Sequence, residues 1–130
     1  MMLTVLKYLW VLPNTLLGMV FVPLALVSGG KVRAVQGALE IHGGAAALFL
    51  TLCRASGMTI GHVILGKHAR ILDEVRLHEH VHIRQYERWG ILFLPAYFLS
   101  SIFVWLRGKH PYYDNPFEKE AFEKTAVARL

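Results

Sequence analysis

Between Tyr8 and Ser28 the chain runs for 21 residues without a charge, YLWVLPNTLLGMVFVPLALVS. A helix of that length can cross the hydrocarbon core of a bilayer. A chain of 130 residues is one domain, and its single core is too small to hide such a helix all round. Composition agrees: 55% of residues are hydrophobic and 18% charged, against about 25% charged in ordinary soluble domains. We therefore read residues 1–28 as a hydrophobic membrane-associated segment and 29–130 as the functional region of one domain. Lys7 precedes the stretch, and Lys31 and Arg33 follow it, so charge leaves its orientation open. Pro13, Gly18 and Pro23 point to a kinked span or a re-entrant hairpin. A cleaved signal peptide is the alternative, although only Lys7 precedes the stretch and no small-x-small site stands out near Val27-Ser28-Gly29.

The formal net charge of +5 is scattered along the chain. No basic run with interleaved aromatics is present to track a phosphate backbone, so nucleic acid is not an expected partner. Attraction to anionic membrane lipid fits the apolar content better. Cys53 is the single cysteine, which excludes an intrachain disulfide and a cysteine-based metal site.

After Gly29-Gly30, residues 31–44 read as two short alternating strands around Gln36-Gly37. Ala45–Ala55 reads as a short apolar helix. Met58–Leu65 is rich in β-branched residues between Gly57 and Gly66 and reads as one strand. Ala69–Trp89 is a long helix-forming stretch without Gly or Pro, stopped by Gly90. Ile91–Leu106 is uncharged, but 16 helical residues cover only about 24 Å, short of a hydrocarbon core of about 30 Å. It is expected to turn back at Gly90 as a tight helical hairpin along the preceding helix. Asn115-Pro116 supplies an N-cap and first position for a last helix reaching about Ala128.

The chemistry sits on the long helix. His78-Glu79-x-x-His82 places two imidazoles one turn apart on one face, where both can reach a single metal ion. Glu79, next to the first of them, can accept a proton from a water that the metal has made acidic. His80 is rotated to another face. Gln85 lies one turn below His82 and either supports a ligand or is ordinary helix polarity. A third ligand must come from elsewhere, and the stretch 114–121, DNPFEKEA, is the natural source. Glu118 also falls three residues after Asn115, the spacing of a capping box, and Glu120 could be plain helix surface.

The pairing of HExxH with Glu118-Lys-Glu120-Ala121 resembles the gluzincin metallopeptidases. It is similar to the membrane-bound prenyl-protein proteases, to their bacterial heat-shock relatives, and to small bacterial proteins with HExxHxxQ and NPFExEA signatures. The resemblance implies an α+β, zincin-like minimal domain: a small antiparallel sheet, an HExxH helical hairpin and a C-terminal Glu helix. It implies zinc held by His78, His82 and Glu118, rather than Glu120, with Glu79 as catalytic base. It implies hydrolysis of a peptide or protein substrate at a bacterial cell membrane. Met58–Leu65 becomes the edge strand that aligns substrate by backbone pairing, and His62 could face the cleft. One of His110, Tyr112 and Tyr113 could donate to a developing oxyanion. The chain departs from the pattern at Phe122, where those families carry an Asp supporting a ligating histidine. A non-catalytic zinc-binding or scaffold protein of gluzincin-derived fold is the alternative.

Overall fold

The computed structural model describes residues 2–129. Two apolar helices come first, α1 (Met2–Met19) and α2 (Phe21–Val27). Val20 between them keeps helical dihedrals, φ −56° and ψ −30°, so the pair runs on in one direction and forms no re-entrant hairpin. Val11, Asn14 and Ala25 are buried along one side. A Cβ on Gly18 would stand 2.7 Å from the Ile60 carbonyl oxygen, which shows how closely α1 approaches the sheet. Leu6, Leu9, Leu16 and Leu17 on other sides are more than half exposed.

The sheet has four strands in the order β1-β2-β4-β3: β1 (Lys31–Val35), β2 (Ala38–His42), β3 (Gly57–Ile60) and β4 (Val63–Gly66). The expected β1–β2 hairpin forms, with Gln36 and Gly37 both at positive φ in the two-residue turn such hairpins favour. Met58–Leu65 is not one strand. Gly61 adopts φ +65° and turns the chain, so that β3 and β4 pair antiparallel. A Cβ there would meet the Thr15 backbone nitrogen at 2.4 Å, so both dihedral and space call for glycine. Nor is the sheet purely antiparallel. Helix α3 (Gly44–Leu52) carries the chain across from β2, and β4 then slots beside β2 in parallel, Leu39 opposite Val63. This leaves β3 as an edge.

Because β4 is covered on both faces, it is apolar throughout. Val63 and Leu65 join Ile41, Ala46, Leu50 and Ala25 under α2 and α3. Ile64, pointing the other way, joins Ala38, Leu72 and Ile83 under α4 (Ala69–Trp89). Glu40 of β2, fully buried, fixes α4 further: its carboxylate accepts from Arg76 Nε and Nη2 at 2.7 and 2.8 Å and from Arg33 Nε at 3.1 Å.

Gly90, at φ +59°, ends α4, and a single 3₁₀ turn over Gly90–Leu92 leads into α5 (Phe93–Leu106). The chain reverses there as expected: the Phe93 ring lies 4.3 Å from Tyr86, and Tyr97 lies 6.4 Å from His82. Past Tyr97, α5 presents Phe98, Leu99, Ile102, Phe103, Trp105 and Leu106 to the outside. The last helix, α6 (Pro116–Arg129), begins at Asn115, whose Oδ1 accepts from Phe117 N at 2.9 Å. By length and composition, two helical stretches, Leu3–Val27 and Ala69–Leu106, are apolar enough to cross a membrane.

Candidate metal centre

Helix α4 supplies three donors. The ligand atoms of His78, Glu79 and His82 lie within 4.8 Å of one another, on the side of the helix facing α6 and β3. Helix α6 supplies the fourth group. Glu118, in its first turn, brings Oε1 to 3.0 Å from Nε2 of both His78 and His82. The capping-box alternative does not form, since the Asn115 N–H donates to the Tyr112 carbonyl and Glu118 is committed to the histidines. The two imidazoles stand 5.0 Å apart with their planes at 73°.

The donor set fits zinc. A tetrahedral ion with bonds of about 2.0–2.1 Å holds its ligand atoms roughly 3.3 Å apart, so separations of 3.0 Å need only a small outward movement. Two neutral nitrogens and one carboxylate leave a coordination position for substrate or water. Electrostatics fit as well. Burial works against a charged His82, but the Glu118 and Glu79 carboxylates outweigh it and hold the imidazole up to about 9. Burial likewise opposes charge on Glu118, yet the hydrogen bonds from both imidazoles and Tyr97 hold it down to about 2. The Glu118 carboxylate thus stays ionised between the two imidazoles, as a carboxylate ligand must.

Glu79 is buried, and its carboxyl is pushed above its ordinary value chiefly by burial, with the neighbouring imidazoles opposing. The Thr59 hydroxyl donates to Oε2 at 3.0 Å, tying the carboxylate to β3. A Cβ on Gly57 would stand 3.7 Å from Glu79 Oε1, so the start of this edge strand passes directly beside the carboxylate. Tyr97 of α5 donates its hydroxyl to Glu118 Oε2 at 2.5 Å. Gln85, wholly buried, places Oε1 at 2.8 Å from His82 Nδ1.

Sequence reasoning singled out neither Thr59 nor Tyr97. Nothing local marks Thr59, a strand residue that meets Glu79 twenty positions away. Tyr97 did leave a signal, as the one titratable group within the uncharged stretch Ile91–Leu106.

The remaining candidates divide. His62 is not brought to the cluster. It occupies the β3–β4 turn, with Nε2 at 3.0 Å from Glu87 and its ring 4.1 Å from Tyr8. His110 is spent on its own loop, Nδ1 accepting from the backbone N–H groups of Tyr112 and Tyr113. Tyr112 comes closer: burial, with the Glu118 carboxylate nearby, pushes its phenol up. Tyr112 and Tyr113 pack on Phe122, at 6.0 and 5.8 Å, and Phe122 in turn packs on His78 at 4.6 Å. An aromatic contact therefore stands where the resembled families place an Asp. His80 faces away from the cluster, its Nε2 buried and without a partner among the described residues.

No protein-family model, no curated protein and no solved structure matches this chain.

Proposed function

We propose that this chain is a zinc-dependent hydrolase of peptide bonds, of gluzincin type, associated with a membrane through α1, α2 and α5. One observation carries most of the weight: imidazoles one helical turn apart share a carboxylate oxygen from a second helix, with a buried carboxyl beside them. His78, His82 and Glu118 are the groups that would hold zinc. Zinc, when bound, polarises a scissile carbonyl and makes water acidic enough to lose a proton near neutrality.

Glu79 is the group that would take that proton and pass it to the leaving amine. Its burial raises its affinity for a proton toward the range useful to a general base. The Thr59 hydroxyl holds the carboxylate in place, and Tyr97 holds Glu118. Strand β3 offers its Gly57 end beside Glu79 for backbone pairing with an extended substrate. Its Thr59 carbonyl already accepts from the Tyr86 hydroxyl at 3.0 Å, so pairing would be confined to the groups before it.

Glu79→Gln tests the assignment. It should retain about one zinc per chain and abolish hydrolysis of a protein substrate that the wild type degrades. A zinc-loaded wild type without turnover on a broad peptide library would favour the non-catalytic zinc-binding alternative, and loss of zinc from Glu79→Gln would make Glu79 a ligand.

A further inference from the structure

We propose that Gln85 and Glu120 are positioning residues for His82, acting together as a relay that fixes which imidazole nitrogen faces the metal; this rests on the metal-centre reading above. A carboxamide has one end that only accepts hydrogen bonds and one that only donates. At the donor end, Gln85 Nε2 lies 2.9 Å from the Phe117 carbonyl and 2.7 Å from Glu120 Oε1, both of which can only accept. The amide is therefore held with Oε1 toward His82, 2.8 Å from Nδ1. An oxygen there requires a proton on Nδ1. In the neutral ring, Nε2 is then left as the unprotonated nitrogen, and Nε2 is the atom turned toward His78 and Glu118.

Glu120 is itself held in place. Arg88 Nη2 donates to its Oε1 at 2.6 Å, and Lys124 reaches its Oε2 at 3.1 Å. Those two contacts aim it at the amide. The relay also has a mechanical side. Phe117 immediately precedes Glu118, so one buried amide joins the backbone beside the α6 ligand to the side chain of an α4 ligand. Two elements 35 residues apart in sequence are locked in register at the site. Ordinary helix polarity would leave Gln85 in solvent, whereas it is fully buried with both ends of its amide satisfied.

The test uses the full chain in detergent, loaded with zinc. Affinity is read by chelator competition, and the His82 Nδ1–H is observed in proton–nitrogen correlation spectra of the imidazoles. Gln85→Leu should lower zinc affinity roughly 10–100-fold, the usual cost of losing a supporting partner. It should also abolish the slowly exchanging Nδ1–H signal. Glu120→Ala, at a partly exposed position that threatens folding little, should cost only a few-fold in affinity but speed exchange of that proton. Wild-type affinity and an unchanged Nδ1–H signal in Gln85→Leu would overturn the relay alone. If Gln85→Leu fails to fold, unchanged proton exchange in Glu120→Ala does so. A wild type that takes up no zinc would overturn the metal centre and the relay together.

Discussion

At the scale of single residues, helix geometry alone puts His78 and His82 on one face of α4, and Glu118 reaches them from α6. The spacing of Glu118 after Asn115 also suits a capping box. What decides between those roles is contact across 40 residues, its carboxylate meeting His78 at 3.0 Å. The two acidic residues of α6 then separate by consequence. Glu118→Ala should lose more zinc affinity than the roughly 10–100-fold expected when a supporting group is removed, because under the proposed zinc site it would delete a ligand. Glu120→Ala should retain near-stoichiometric zinc at micromolar excess. Metal analysis after gel filtration distinguishes them, and equal occupancy in the two variants would remove Glu118 from the ligand set. Sequence marked His78 and His82 by helix geometry alone, but Glu118 only through resemblance.

At the scale of elements, the helices and the β1–β2 hairpin were readable, and the rest of the sheet was not. The stretch Ala69–Trp89 carries its own limits, no Gly or Pro inside and Gly90 after it, and α4 has those bounds. Met58–Leu65 looked like one strand because β-branched residues fill it on both sides of Gly61. Only the closeness of Thr15, 46 positions earlier, shows why the chain must turn there. The parallel pairing of β2 with β4 left no periodic trace, because both faces of β4 are buried. The clamp between Glu40 and Arg76 was also hidden, since scattered charges reveal no partners.

That clamp makes two expectations. Glu40→Gln removes the anion from a buried pair and should cost about 3 kcal/mol, read from denaturant unfolding. Hydrogen bonds and charge from Arg76 and Arg33 outweigh burial and hold the Glu40 carboxyl below its ordinary value of 4.5. A lowered folded value contributes stability that is present above 4.5 and lost as pH falls through the lowered value. Acid should therefore destabilise the wild type more steeply than Glu40→Gln below that pH, and parallel acid limbs would contradict the clamp. The hairpin turn gives another. Gly90→Ala forces a Cβ to 2.4 Å from the Trp10 ring at a φ of +59°, so it should destabilise by about 1–3 kcal/mol. A neutral result in thermal melts would mean that α1 does not pack against this turn.

At the scale of the whole molecule, the question is what covers the apolar surface. Helix α1 is docked along its length: Tyr8 donates to the Gly37 carbonyl, Asn14 to the Gly90 carbonyl, and the Thr15 hydroxyl accepts from His62 N. These bonds use one side only. The other sides expose Leu6, Leu9, Leu16 and Leu17, and α5 exposes Phe98, Leu99, Ile102 and Phe103. Exposed apolar residues gathered on neighbouring elements mark a membrane or partner surface, and their lack of charge favours lipid tails. Helix α5 has 14 residues, about 21 Å, which is short of a hydrocarbon core of about 30 Å. Since α5 turns back at Gly90, α6 returns to α4, and on a membrane-bound chain both would lie on the same side of the bilayer, as Glu118 must to meet His78 and His82. We expect the chain to sediment with membranes and to need detergent for release. With Cys53 replaced by Ser, single cysteines at Glu74 and Lys119, both exposed, should react with an impermeant reagent from the same side. Polar substitution of Leu9, Leu16 and Leu17 together should weaken membrane attachment while leaving zinc content unchanged, because these side chains face away from the docked side. Labelling of residues 74 and 119 from opposite sides would break the three-ligand site outright, whereas zinc lost from the polar variant would mean that the outer face of α1 supports the fold itself.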